Sequence, residues 1–163
     1  MGQVTGRPNM TIIFSGRQND PMDESIDRLF LDTGYVVARF NRRDQFHPRA
    51  KQLAGVIAAC RELWTTDAVL LEVAAAFSQP RHRSIATRLW DEFHGGDARC
   101  RVVAVSGDAL SQAIALFRQS SDKSWSLTDC LSFVVMSEQQ LVSALTPDHH
   151  FTQAGFQALM ADR

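Results

Sequence analysis

The sequence has few lysines and no excess of positive charge. Only Lys51 and Lys123 are lysines among 17 basic residues, and 18 acidic residues bring the net charge to −1. Proteins that bind nucleic acid through their overall charge are usually strongly basic, so a nucleic acid would have to be bound by a local patch. The remaining basic residues are arginines, whose forked side chains suit phosphates and carboxylates.

Cysteine pairs, long apolar runs and phosphate-binding glycine loops are also missing. The three cysteines are far apart and odd in number, which fits neither a disulfide framework nor a Cys-x-x-Cys metal site, so we expect a cytoplasmic protein. No apolar run approaches the roughly 20 residues of a membrane span, and the first residues lack the pattern of a signal peptide. The nine glycines form neither G-x-G-x-x-G nor G-x-x-x-x-G-K-[ST], which disfavours a nucleotide enzyme.

Short apolar segments alternate with helical patterns, which is typical of an α/β sheet with helices on its faces. The length of 163 residues with 45% hydrophobic residues fits one folded domain. We predict strands at Arg28–Leu31, Leu63–Thr65, Arg101–Val105 and Val142–Leu145, and helices at Pro48–Glu62, Thr66–Phe77, Ser84–Phe93, Asp108–Gln119 and Leu127–Glu138.

Four acidic residues lie in otherwise apolar sequence. Asp32 follows the first predicted strand, and Asp148 follows the last one. Glu72 is the only charge in AVLLEVAAAF, and Asp129 is the only charge in LTDCLSFVVM. Because ionised groups are rarely buried unless they are paired or bind a metal, these four residues are candidates for a functional site.

The predicted topology brings these acids to one place. Ligands of open α/β sheets bind outside the carboxyl ends of the strands, and the helices that follow the strands begin at the same edge. Converging carboxylates would repel one another, whereas Mg²⁺ or Mn²⁺ prefers such oxygen ligands. Each acid taken alone could instead be a helix cap or half of an ion pair, the interpretation we favour for Asp67 and Asp108 at helix N-termini.

Four segments resemble the PIN-domain family of metal-dependent ribonucleases, and within it the VapC-type toxins of toxin–antitoxin pairs and their stand-alone relatives. The resemblance runs from about residue 28 to 156 and implies a three-layer α/β/α fold with a parallel sheet of four to five strands. The segments are LDTGYVVARFN (31–41), TTDAVLLEVAAA (65–76), WSLTDCLSFVVM (125–136) and ALTPDHHFTQAGF (144–156).

The resemblance also implies roles for individual residues. Asp32, Glu72, Asp129 and Asp148 would hold one or two Mg²⁺ or Mn²⁺ ions and form the catalytic site. The hydroxyls of Thr33, Ser126 and Thr128 would orient these ligands or a water, although caps and turns explain Thr33 and Ser126 equally well. We expect His149 and His150 to face solvent or phosphate rather than to bind the metal.

Basic side chains would attract the substrate. We expect RNA contacts from Arg39, Arg42, Arg43, Arg49 and Lys51, and from a second group made of Arg81, His82, Arg83 and Arg88, although charged runs are often only solvated surface. The resemblance further implies a cognate antitoxin protein and a homodimer. The aromatic residues could lie in the core or at an interface, and we favour the core for Phe40, Phe46, Trp64, Trp90 and Phe93. Glu62, Asp91 and Glu92 are expected on helix surfaces.

Two features depart from the family pattern. Residues 1–27 form an N-terminal extension or insertion before the nuclease domain at 28–163, because relatives begin almost directly with the first strand. This segment contributes Asp20, Asp23, Glu24 and Asp27. Ser124 stands where an acid is expected before the tryptophan, and Asp122 could replace it.

The sequence therefore predicts a metal-dependent endoribonuclease, in which a metal-activated water attacks phosphorus. The resemblance implies products with a 3′-hydroxyl and a 5′-phosphate. One alternative is a catalytically silent PIN-like module that acts through protein contacts. A phospho-acceptor receiver or phosphatase-like domain is disfavoured because Lys123 precedes a helix rather than following a strand. If the four acids lie in a cation-filled pocket, the rest of the chain carries a net charge of +3, which suits an RNA substrate.

Overall fold

The computed structural model describes residues 26–161, which contain five strands and seven helices in the alternation that the sequence predicts. The strands are β1 (Arg28–Leu31), β2 (Glu62–Thr66), β3 (Cys100–Val103), β4 (Ser143–Leu145) and β5 (Gln157–Ala158). The helices are α1 (Thr33–Phe40), α2 (His47–Ala59), α3 (Asp67–Ala76), α4 (Arg83–His94), α5 (Gly107–Gln119), α6 (Leu127–Glu138) and α7 (His149–Gln153).

The strands form one parallel sheet in the order β3-β2-β1-β4-β5. β1 is central, and its Phe30 is paired with Trp64 of β2 and with Ala144 of β4. With helices on both faces, the predicted α/β fold and its three-layer form are confirmed. The carboxyl ends of all strands therefore meet at one edge, as the site prediction requires.

Polar residues directly after the strands begin the helices at this edge. Asp32 caps α1 and Thr66 caps α3, each accepting a hydrogen bond from a backbone amide of the first turn. Ser106 and Ser126 cap α5 and α6 in the same way. Such caps satisfy amides that have no partner inside the helix, so the chain turns sharply from strand to helix beside the site.

Several predicted boundaries were wrong. α2 ends at Ala59 because Cys60 is already extended, with φ −62° and ψ 148°. Glu62 was expected on a helix surface but lies in β2, where Arg28 Nε and Trp64 Nε1 donate to its Oε2 at 2.7 and 2.9 Å. These bonds hold the pKa of Glu62 below its usual value.

The core lies on both sides of the sheet. Leu29 and Leu31 of β1 pack into one cluster with α1 and α2, and Phe30 packs into the other with α6 and α7. Phe93 is buried as expected, whereas Trp90 is 45% exposed and stacks on His94, so its prediction as a core residue was wrong. All three cysteines are free and buried.

Helix α3 is less buried than its apolar sequence suggests. Val69, Leu70 and Val73 face the core, but Leu71 is 65% exposed and Glu72 lies on the same exposed side. A helix at the face of a sheet buries only one stripe, so Glu72 needs no buried partner. Within residues 26–161, no helix is long and apolar enough to cross a membrane.

Candidate active site

Asp32 lies at the end of the central strand, where its carboxylate is fixed by two hydrogen bonds. The Gly34 amide donates to Asp32 Oδ2 at 3.3 Å, and the Thr146 hydroxyl donates to the same oxygen at 2.7 Å. Gly34 must be small here, because a Cβ at this position would lie 2.6 Å from Pro147 Cδ. Asp32, which the sequence predicts as a site residue, therefore lies at the centre of the carboxyl edge of the sheet.

Burial makes ionised Asp32 unfavourable. Desolvation raises its pKa to about 6, against the opposing effect of the Thr146 hydrogen bond, and the negative charge of Asp129 adds to the rise. A carboxyl group with such a pKa, next to a second acid, is typical of functional sites, because neither a cap nor a surface ion pair requires it.

Thr146 connects Asp32 to Asp148. Its hydroxyl donates to Asp32 and accepts from the Asp148 amide at 3.0 Å. Asp148 in turn caps α7 by accepting from the His150 amide at 2.8 Å. Sequence reasoning missed Thr146, which is completely buried directly after β4. Its place two residues before the candidate Asp148 is visible in the sequence, but its contact with Asp32 is not.

Glu72 joins the same edge through Thr33. The Thr33 hydroxyl donates to Glu72 Oε2 at 2.9 Å, which brings the second turn of α3 against the first turn of α1. Thr33 was predicted to orient ligands, and the structure gives it this contact with a candidate ligand. Glu72 therefore contacts the site through Thr33, the residue that follows Asp32.

Asp129 is held in a capping box at the start of α6. The Ser126 amide donates to Asp129 Oδ2 at 2.7 Å, and the Asp129 amide donates to Ser126 Oγ at 3.0 Å. Ser126 is therefore a cap and also orients the acid, so both of its predicted roles coincide. Thr128 lies in the same turn, where its backbone carbonyl accepts from Ser132.

His150 lies between two of the four acids. Its Nδ1 is 3.3 Å from Asp148 Oδ2 and 3.5 Å from Asp129 Oδ2, and its side chain is only 15% exposed. Its Nε2 faces Ser124 Oγ at 3.2 Å. The expectation of a solvent-facing group holds for His149, whose side chain is 69% exposed, but not for His150.

Ser124 and Asp122 have separate roles in the structure. Ser124 reaches the site through His150, whereas the Asp122 side chain is 71% exposed and pairs with Lys123 at 3.1 Å. The structure gives Asp122 no contact with the four acids, so it does not take the place of the expected fifth carboxylate.

The predicted RNA-contacting residues lie outside this cluster. Arg42 and Arg43 are exposed in the turn after α1, and Arg39 lies over the Phe40 ring. Arg49 Nε donates to the Leu159 carbonyl at 3.1 Å, so this residue also anchors the last part of the described chain. Asp27, the last acid of the predicted extension, pairs with Arg61 at 2.9 Å, and residues 1–25 lie outside the described part of the chain.

Comparison with protein families decides the classification of this fold and site. The family model for the PIN domain matches residues 29–157, which include all four acids. The chain belongs to the PIN-domain family. This PIN domain is similar to the crystal structure of Mycobacterium tuberculosis VapC20, described as a toxin that cleaves the sarcin–ricin loop.

The match to VapC20 has a TM-score of 0.69 and 25% sequence identity, and it covers 78% of this chain and 95% of VapC20. It confirms the resemblance to VapC-type PIN domains that the four sequence segments indicate. Comparison with curated proteins gives no significant sequence match.

Proposed function

We propose that this PIN domain is a metal-dependent endoribonuclease and the toxin of a toxin–antitoxin pair. The observation that carries the proposal is the linked cluster of four acids at the carboxyl edge of the sheet. Glu72 joins through Thr33, Asp32 and Asp148 share Thr146, and Asp129 faces Asp148 across His150.

The donor set suits a divalent cation. Within residues 26–161, none of the ion pairs joins a lysine or arginine to any of the four acids. The charge of Asp129 raises the pKa of Asp32, and among the described residues the groups that lower it are hydrogen-bond donors rather than cations. Hard carboxylate oxygens without a protein cation are the ligands that Mg²⁺ and Mn²⁺ prefer.

Asp32, Asp129 and Asp148 would hold the ion, with Glu72 beside them. A divalent ion bound by such acids lowers the pKa of a bound water and neutralises charge on a phosphate. The chain itself supplies orientation. Thr146 fixes one oxygen of Asp32 at 2.7 Å, and the Ser126 amide fixes one oxygen of Asp129 at 2.7 Å, so each carboxylate is held in a set orientation.

The RNA would be held by arginines along the route away from the site. α1 begins at the site and spans eight residues, roughly 12 Å, before the exposed turn with Arg42 and Arg43. Exposed cations at that distance bind phosphates of the same RNA strand without reading its bases. Arg39, Arg49 and Lys51 extend this surface, and Arg81, His82, Arg83 and Arg88 of the α3–α4 region provide the second group.

Two protein partners complete the proposal: an antitoxin protein that occludes the acidic edge, and a second copy of the chain. The exposed Leu71 and Trp90 provide apolar surface that association would cover. Light scattering after size exclusion checks the dimer, and Leu71→Glu is expected to shift it toward the monomer.

RNA cleavage by matched variants tests the enzymatic part of the proposal. The wild type is incubated with a mixed RNA pool and with a sarcin–ricin loop oligonucleotide, in Mg²⁺, in Mn²⁺ and in EDTA. We expect cleavage only with a divalent ion, and a loss of at least 100-fold in Asp32→Asn and Asp129→Asn. The products should carry 5′-phosphates.

Asp122→Asn serves as the control, because it removes an acid that lies outside the cluster. Full activity in this variant would show that the losses are specific to the site. A wild type that binds divalent ions but cleaves no RNA would instead favour the catalytically silent module, and activity that persists in EDTA would contradict the metal requirement.

A further inference from the structure

The buried nitrogen of His150 has no hydrogen-bond partner in the described structure. Nδ1 is inaccessible to solvent and makes no hydrogen bond, although it lies 3.3 Å from Asp148 Oδ2 and 3.5 Å from Asp129 Oδ2. A buried polar atom without a partner is costly, and native proteins rarely keep one without a reason. The direction of Nδ1 into the acidic cluster suggests that its partner is a ligand rather than a residue.

The contact made by the other ring nitrogen, Nε2, bears on which nitrogen of His150 carries the proton. Nε2 lies 3.2 Å from Ser124 Oγ, and either atom can be the donor; in the tautomer with its proton on Nε2, that nitrogen donates to the hydroxyl. Nδ1 then presents a lone pair to two carboxylate oxygens. Three electron-rich atoms facing one another repel, unless a cation lies between them.

The 3.3 Å between His150 Nδ1 and Asp148 Oδ2 fits two atoms that share one metal ion. Ligand atoms bound at about 2.1 Å lie roughly 3.0 Å apart in an octahedral site and roughly 3.4 Å apart in a tetrahedral one. Asp148, His149 and His150 also offer ligand atoms within 4.8 Å of one another. His149 is the more exposed of the two histidines, so water competes for its nitrogen.

We propose that His150 Nδ1 is a metal ligand alongside Asp148, and that it biases the site toward Mn²⁺ over Mg²⁺. Imidazole suits transition metals, whereas Mg²⁺ favours oxygen ligands and water. A site with only carboxylates would lack this preference. The inference rests on the proposed metal site, but it concerns metal binding and holds whether or not RNA is cleaved.

Metal binding by the untagged full chain tests this inference. Calorimetric titration gives the affinities for Mn²⁺ and Mg²⁺ in the wild type, in His150→Asn and in His149→Asn. We expect the ratio of Mn²⁺ to Mg²⁺ affinity to fall about tenfold or more in His150→Asn and less than threefold in His149→Asn. His94→Asn is the matched control, because that exposed histidine binds the Trp90 carbonyl on α4.

Electron spin echo spectra of the Mn²⁺-loaded wild type provide a second readout that needs no variant. Nitrogen-14 coupling from bound imidazole is expected, and it should disappear when the protein is labelled with [¹⁵N]histidine. Absence of nitrogen coupling in the loaded wild type would overturn the proposal, as would an unchanged affinity ratio in folded His150→Asn. A wild type that gives the expected metal measurements but cleaves no RNA would contradict the proposed function alone.

Discussion

At the residue scale, the site is built from groups that act against the stability of the fold. Asp32 is the clearest case, because it is buried at the end of the central strand beside the negative charge of Asp129. Thr146 and the Gly34 amide offset only part of the cost. A residue kept in spite of such a cost is one whose charged form has a use, which in the proposed function is the binding of a cation.

The raised pKa of Asp32 predicts that Asp32→Asn stabilises the protein in a pH-dependent way. Below about pH 4 the carboxyl is protonated in both the folded and the unfolded chain. Between pH 4 and about 6 the unfolded chain ionises first, so the free energy of unfolding falls as the pH rises through this window. At pH 7.5 without divalent ions, the variant should be more stable by about 3 kcal/mol.

Urea denaturation in EDTA at pH 4 and at pH 7.5 measures this difference. The gain in stability should be nearly absent at pH 4, where no charge is removed. Equal gains at both pH values would show that the asparagine acts through packing, and a loss at pH 7.5 would contradict the raised pKa.

Gly34→Ala is predicted to disturb both the fold and the site. Its Cβ would lie 2.6 Å from Pro147 Cδ and 3.3 Å from Asp32 Oδ2, and the ring carbon of a proline cannot swing aside. We expect a loss of 1–3 kcal/mol in the free energy of unfolding and weaker divalent binding. Gly55→Ala is the control, because its Cβ meets nothing within 4 Å and a helical alanine should add about 0.5–1 kcal/mol. If Gly34→Ala and Gly55→Ala changed the metal affinity equally, the close contact of the Cβ at position 34 with Pro147 and Asp32 would not explain the change.

At the scale of elements, sequence patterns predict the long helices and strands but not the short ones. α6 begins and ends where its apolar pattern predicts, and β1 has the predicted bounds. The five residues of α7 and the two of β5 are too short for a periodic pattern. β5 is placed by pairing with β4, and α7 by packing against β5 and α6. α1 was not predicted as an element, although it carries the Asp32 cap.

The same limit applies to the candidate site. The four acids could be named because charge stands out in apolar sequence, and parallel strands bring their carboxyl ends together. Thr146 and His150 could not be assigned their roles, because each acts through contacts that join distant parts of the chain. Thr146 bonds Asp32 across 114 positions, and the contact between His150 and Asp129 depends on the packing of α7 against α6.

Two serine caps allow stability and function to be separated. Ser126 and Ser106 each accept a hydrogen bond from the third residue of a helix, but only Ser126 shares a capping box with a candidate ligand. We expect Ser126→Ala and Ser106→Ala each to reduce the free energy of unfolding by about 1 kcal/mol. Only Ser126→Ala should also weaken Mn²⁺ binding, as measured by calorimetric titration. Equal metal affinities in the two variants would show that the cap does not orient Asp129.

At the scale of the whole molecule, a near-neutral chain hides an uneven distribution of charge. The net charge of −1 includes four acids gathered at one edge of the sheet, and arginines lie exposed on the helices and turns around it. A bound divalent ion would neutralise much of the acidic edge. The surface that RNA meets is then more basic than the composition indicates.

This distribution predicts which arginines bind RNA. Arg42→Ala with Arg43→Ala, in an Asp129→Asn background that prevents cleavage, should weaken binding to single-stranded RNA and reduce the slope of log affinity against log salt by about 1.4. Arg61→Ala with Arg101→Ala removes the same charge beside the amino ends of β2 and β3, opposite the acidic edge. Fluorescence anisotropy from 50 to 200 mM salt should therefore show a much smaller change of slope for this control pair. Equal slopes for the two pairs would mean that RNA responds to net charge alone, and an unchanged slope for Arg42 and Arg43 would place the RNA elsewhere on the molecule.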